Sequence, residues 1–116
     1  MLLSKVFELR GYIDETGKQR FAAWFERLDA VAAAKVAIAL TRIERGNVSN
    51  AKGVGGGVLE YKVDFGPGYR IYFGKDGERL VILIGGGTKK RQAHDIASAQ
   101  ECWTDYKRRK KHAPHS

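Results

Sequence analysis

A chain of 116 residues, 43% of them apolar, amounts to one domain, large enough to bury a single core without a covalent staple. Its lone cysteine excludes an internal disulfide, and no apolar run nears the ~20 residues of a membrane span. Lys and Arg outnumber Asp and Glu by 21 to 13, a net charge of +8 that points toward a polyanionic partner. Met1-Leu2-Leu3 is followed at once by Ser4 and Lys5, unlike a signal peptide, so the expected location is the cytoplasm, away from any membrane.

In chain order, residues 6–12 predict a short first strand. Thr16-Gly17-Lys18-Gln19 has the form of a capping box, in which a hydroxyl and an amide satisfy N–H groups at a helix start. Phe21, Trp24, Phe25 and Leu28 then share one helical face, a spacing that marks core. Asp29 suits the N-cap of a second helix over residues 30–45, with Ala33, Val36, Ala37, Leu40 and Ile43 as its apolar face and Gly46 just past its end. The alanines predict close packing of the two helices as an αα-hairpin. Residues 47–57, with four glycines and two asparagines, read as a mobile connector without the pattern of a phosphate-binding loop.

Leu59 to Phe73 reads as a β-hairpin turning at Gly66-Pro67-Gly68. Leu59, Tyr61, Val63 and Phe65 share one face with Tyr69, Ile71 and Phe73, while Glu60, Lys62, Asp64, Arg70 and Tyr72 share the other. A three-residue turn pairs Phe65 with Tyr69, Asp64 with Arg70 and Lys62 with Tyr72. Asp76-Gly77 turns the chain into the unbroken apolar run Leu80 to Ile84, the mark of a central strand covered on both faces. Gly85-Gly86-Gly87 then reads as a flexible corner leading into Thr88-Lys89-Lys90-Arg91. Ile96, Ala99, Trp103 and Tyr106 predict a final amphipathic helix, with Cys102 as a small core residue.

Charge is unevenly spread along this order. Residues 1–58 hold 9 cations and 6 anions, residues 59–88 hold 4 and 4, and residues 89–116 hold 8 and 3. The run Lys107-Arg108-Arg109-Lys110-Lys111 could draw nucleic acid through counterion release, or serve as a solubilising tail. The expected fold is α+β: a short strand, two helices, an antiparallel meander and a C-terminal helix in one domain over residues 1–106. Residues 107–116 are expected to form a basic, flexible tail.

This order, with Gly66-Pro67-Gly68-Tyr69-Arg70-Ile71-Tyr72-Phe73 and the later Gly-Gly-Gly-Thr-Lys-Lys-Arg-Gln-x-x-Asp-Ile-Ala, resembles the RelE/ParE toxin superfamily. It is most similar to the HigB-like, phage-derived "addiction module killer protein" branch. The likeness covers residues 5–106, with Thr88 where an acidic residue is common and Lys89, Gln92, Asp95 and Ile96 in pattern. It implies a RelE-like toxin of a type II toxin–antitoxin system. Such a toxin is neutralised by a cognate antitoxin, usually of helix-turn-helix type, and meets operator DNA only through that complex. Most active relatives cleave mRNA on the ribosome; those of the ParE arm inhibit DNA gyrase instead.

Metal-independent RNA cleavage needs cations around the scissile phosphate and groups that move protons. The resemblance places Arg70 at the catalytic arginine, Lys62 and Lys89 at basic positions, and His94 near a terminal catalytic residue. Lys90 and Arg91 are candidate phosphate contacts, and Tyr72 a candidate for stacking on a base. No cofactor is expected, and no His/Cys/Asp/Glu grouping has metal-ligand spacing. Each residue also has a plain reading: Arg70 paired with Asp64, Lys62 as a solvated lysine, the rest as ordinary surface charge.

Overall fold

The computed structural model describes residues 6–112. The chain forms β1 (Glu8–Gly11), α1 (Arg20–Glu26), α2 (Ala30–Glu44), β2 (Ala51–Gly53), β3 (Leu59–Val63), β4 (Tyr69–Asp76), β5 (Leu80–Thr88), a single 3-10 turn (Lys89–Arg91) and α3 (Gln92–His112). The strands make one five-stranded mixed sheet in the order β1-β5-β4-β3-β2. Its pairs are antiparallel except β1 with β5, which is parallel. The α+β class, the meander and the C-terminal helix are as expected.

Both faces of the sheet are covered. α1 and α2 enclose Tyr61, Val63, Ile71, Phe73, Val81 and Leu83, with Phe21, Val36 and Ile43 supplied by the helices. α3 encloses Tyr72, Ile82 and Ile84 through Ala99, Cys102 and Trp103. α1 lies chiefly over β5 and α2 over β3, so each of the two helices meets the sheet more than it meets the other. α2 buries Ala32, Val36, Ala39 and Ile43, a face turned from the expected one. Alanines recur all round this helix, and apolarity alone does not say which of them meets the sheet.

Local chemistry moves several boundaries. Thr16 does not cap α1; its amide (2.9 Å) and hydroxyl (2.6 Å) both donate to Asp14 Oδ1, as does the Lys18 amide at 3.0 Å. This Asx-type turn holds the chain out of helix until Arg20, and Gln19 caps without a side-chain bond. Asp29 does cap α2, accepting from the Ala32 amide at 2.9 Å. The connector contains β2, paired through Ala51↔Tyr61 and Gly53↔Leu59. Gly85, Gly86 and Gly87 belong to β5 rather than to a loose corner. A Cβ on Gly86 would meet the Trp24 ring at 2.2 Å, and one on Gly87 would meet Asp95 Oδ2 at 2.0 Å, so two bare positions accept side chains from two helices.

α3 runs past Tyr106 to His112, so residues 107–112 of the expected tail are helical. Asp105 pairs with Arg108 and Arg109 at spacings of three and four, and Lys110 reaches Asp76 on the sheet. Residues 113–116 lie outside the described residues. Among the described residues no helix is long and apolar enough to cross a membrane.

Candidate polyanion site at the sheet end

The β3–β4 register decides what stands beside Arg70. Lys62 pairs with Arg70, Val63 with Tyr69 and Glu60 with Tyr72. The turn therefore spans residues 64–68 rather than three glycine-rich residues, closed by the Gly68 amide on the Phe65 carbonyl at 3.0 Å. Gly66 at φ 54° and Gly68 at φ 77° take backbone shapes that other residues avoid. Asp64 falls inside the turn, exposed, and is not the cross-strand partner of Arg70.

The partner is Glu60. It is 2% exposed, and its carboxylate accepts from the Tyr72 hydroxyl at 2.9 Å and from Gln92 Nε2 at 2.9 and 3.1 Å. Arg70 Nε stands 3.9 Å away and Lys52 Nζ 3.7 Å away. Arg70 is 5% exposed and donates through Nη1 to the Gly68 carbonyl at 2.7 Å, while its Nε has no hydrogen-bond acceptor. That same carbonyl accepts from the Lys89 amide at 3.0 Å. Gly68 thus brings the Arg70 guanidinium and the Lys89 backbone to one atom.

Lys62, Lys89, Lys90 and Arg91 are exposed around this point. The arrangement is a buried cation, neutralised from below by Glu60, beneath a rim of free ones. Tyr72 differs from expectation. It is 1% exposed under α3, so its ring is not open to a base, and its hydroxyl is spent on Glu60. Burial, followed by that hydrogen bond to Glu60, pushes its pKa far above the tyrosine norm and makes it a weaker acid. His94 is exposed in the first turn of α3; Gln92, Asp95, Ile96 and Ala99 are the residues of that segment turned to the sheet. Among the described residues no hydrogen bond ties His94 to Arg70, Lys62 or Lys89, and no group of three or more His, Cys, Asp or Glu is placed to hold a metal.

Glu60 and Gln92 are the two residues that sequence reasoning missed as organisers. Their signal was present but weak: an acid two residues before Lys62 on the same strand face, and a glutamine in the Gln-x-x-Asp pattern. Beside them a cleft of ≈ 300 Å³ opens between α1 and α3, lined by Arg20, Trp24, Tyr72, Gly85 and Asp95. Burial pushes the Asp95 carboxyl above its ordinary range, against the pull of Arg91 and His94. A raised acid lowers stability progressively as pH climbs from the unfolded value of about 3.9 to its folded value, lowers it fully above that, and has no effect well below 3.9. Asp95→Asn should therefore raise the melting temperature at pH 7 and leave it level with wild type at pH 3. A thermal melt at both pH values checks this, and equal gains at the two would show that charge burial is not the cause.

No family model matches the chain. A protein of Haemophilus influenzae, named only as uncharacterized, is 37% identical over 81 residues, which cover 69% of this chain and 82% of that protein. Identity at that level over most of both chains places them together: the chain belongs to the same family as this Haemophilus influenzae protein.

Proposed function

We propose that the chain is a RelE/ParE-like toxin whose sheet-end cations cut mRNA on the ribosome, with a cognate antitoxin as its natural restraint. The observation that carries this reading is the convergence of Lys62, Arg70 and Lys89 on the Gly68 turn. RNA brings its own nucleophile. The 2′-oxygen attacks the adjacent phosphorus, the 5′-oxygen leaves, and the products are a 2′,3′-cyclic phosphate and a free 5′-hydroxyl.

Exposed Lys62 and Lys89 touch the phosphate, and Lys62 relays the 2′-hydroxyl proton. Arg70 acts from beneath as a fixed charge whose position Glu60 and Gly68 set. Such preorganised charge needs no reorientation as negative charge grows on the phosphate. Lys90 and Arg91 extend the contact along the backbone, and His94 is exposed on the first turn of α3 just beyond them.

The test is mapping of mRNA 5′ ends after brief induction, paired with purified protein on programmed ribosomes. Lys62→Met and Lys89→Met should each slow cleavage by roughly 100-fold or more, the usual scale for one catalytic donor or proton carrier. Both positions are exposed, so folding is not at stake. Arg70→Ala should abolish cutting, and His94→Ala should leave the rate near wild type. The Arg70–Glu60 pair, buried under α3, favours a second reading: a ParE-like protein that inhibits gyrase, or a relative acting only in operon regulation with its antitoxin. Growth arrest with intact mRNA and blocked DNA supercoiling would select the gyrase reading. Absence of any growth effect would select regulation.

A further inference from the structure

The cations of this chain form two groups, and only one lies at the Gly68 turn. α3 is 21 residues long, roughly 30 Å from end to end. Lys89, Lys90 and Arg91 precede its first turn, and Lys107, Arg108, Arg109, Lys110 and Lys111 occupy its last turns. Residues 92–106 between them hold three acids, Asp95, Glu101 and Asp105, and neither lysine nor arginine. Positive charge is thus concentrated at the two ends of one rigid helix rather than spread along it.

The far end is built, not trailing. Lys110 is clamped to Asp76, whose other oxygen accepts from the Tyr106 hydroxyl at 2.5 Å. Arg109 donates to the Ile13 carbonyl, and both Arg108 and Arg109 pair with Asp105. Lys110, then Tyr106, hold the Asp76 carboxyl below the usual range, and the same contact with Asp76, after burial, pushes the Tyr106 hydroxyl up to about 12. The helix end is therefore fixed against the β4 terminus. Next to it lies a groove of ≈ 380 Å³ lined by Lys75, Lys107, Lys110 and Lys111 with Trp103 and Tyr106. Lys107 Nζ lies over the Trp103 ring at 5.9 Å, whereas Lys75 Nζ lies over the Phe7 ring at 5.2 Å, on the face of the sheet that α1 and α2 cover.

A helix C-terminus favours cations through its dipole, but that effect fades within one turn and asks for one or two charges, not five. Asp76 and Asp105 are both consumed by Lys110, Arg108 and Arg109. Lys75, Lys107 and Lys111 have no acidic partner among the described residues. We infer that this end of α3 is a second nucleic-acid surface, separate from the Gly68 site, which grips a phosphodiester backbone without reading bases. Trp103 is buried against Gly74 and under Tyr106, so the groove offers charge and shape rather than a ring for stacking.

Counterion release makes the inference measurable. Removing one lysine that neutralises a phosphate should lower the slope of log affinity against log salt by about 0.7 for single strands and 0.9 for duplex. In the full chain, Lys107→Gln/Lys111→Gln should flatten the slope for a 20-nucleotide RNA, followed by fluorescence anisotropy, by about 1.4. Lys18→Gln, at an exposed position in neither group of cations, should keep the wild-type slope. Both substitutions are at exposed positions, and an unchanged melting temperature confirms the fold. A double variant with the wild-type slope would overturn the inference. So would loss of binding in Lys62→Met/Lys89→Met with none in the double variant, or tighter binding of polyglutamate than of RNA to this end, which would assign the groove to an acidic protein.

Discussion

Glu60→Ala should remove about 3–5 kcal/mol of folding stability, the scale for deleting one side of a buried ion pair. The substitution strands three donors at once. The Tyr72 hydroxyl and the Gln92 amide lose their acceptor, and Arg70 keeps its charge in a site that is 5% exposed with nothing to balance it. Glu60→Gln retains an oxygen for Tyr72 but forfeits the charge, and should fall between the two. Urea melts followed by tryptophan fluorescence would give the ranking. A Glu60→Ala midpoint equal to wild type would mean that Arg70 is solvated in solution and that the Glu60 pair is decorative. The experiment also bears on function, because Glu60 sets the guanidinium position from which Arg70 would act.

The second large effect concerns Gly74. A Cβ built there lies 2.6 Å from Trp103 Cη2 and 2.7 Å from Cε2 and Cε3, so the indole rests flat on bare strand. Trp103 is 5% exposed and stacked on Tyr106 at 5.1 Å. Gly74→Ala should cost about 1–3 kcal/mol through overpacking. Trp103→Ala should cost about 3–5 kcal/mol through the cavity it leaves. The two should not add: with the indole gone, the new methyl enters empty space and its penalty should vanish. Denaturant melts of the two single variants and the double variant complete the cycle. Strict additivity would show that α3 can shift along the sheet without resistance from this contact.

Much of the fold was legible because it rests on short-range chemistry. The Phe21, Trp24, Phe25 stripe, the Asp29 cap and the apolar run from Leu80 to Ile84 each declare their element within a few residues. The hairpin register was not legible for a physical reason. A turn of three residues and a turn of five differ by two, and strand faces repeat every two residues, so both registers keep every side chain on its face. Only the backbone shapes of Gly66 and Gly68 separate them.

The burial of the polar face was hidden for a different reason. Glu60, Arg70 and Tyr72 alternate as a solvent-facing row would, and nothing local says that α3 will cover them. They tolerate burial because Tyr72 and Gln92, the latter thirty-two residues from Glu60 in sequence, donate to the Glu60 carboxylate, whose charge balances Arg70. At the candidate site, sequence therefore supplied the wrong neighbour for Arg70. The far end of α3 read as tail because its anchors, Asp76 and the Ile13 carbonyl, lie more than thirty residues upstream.

The irregularity in β5 carries a consequence for changes of chain length. Tyr72 pairs with Gly85 and Phe73 with Leu83, leaving Ile84 as the extra residue. Ile84 and Gly85 consequently both turn toward α3, after which Gly86 meets Trp24 of α1 and Gly87 meets Asp95 of α3. Losing or gaining one residue between Ile84 and Thr88 would exchange these assignments, setting a side chain against the indole and moving Lys89 off the Gly68 carbonyl. This stretch can absorb an altered side chain at Gly85, where a Cβ meets nothing within 4 Å, far more readily than it can absorb an insertion or deletion.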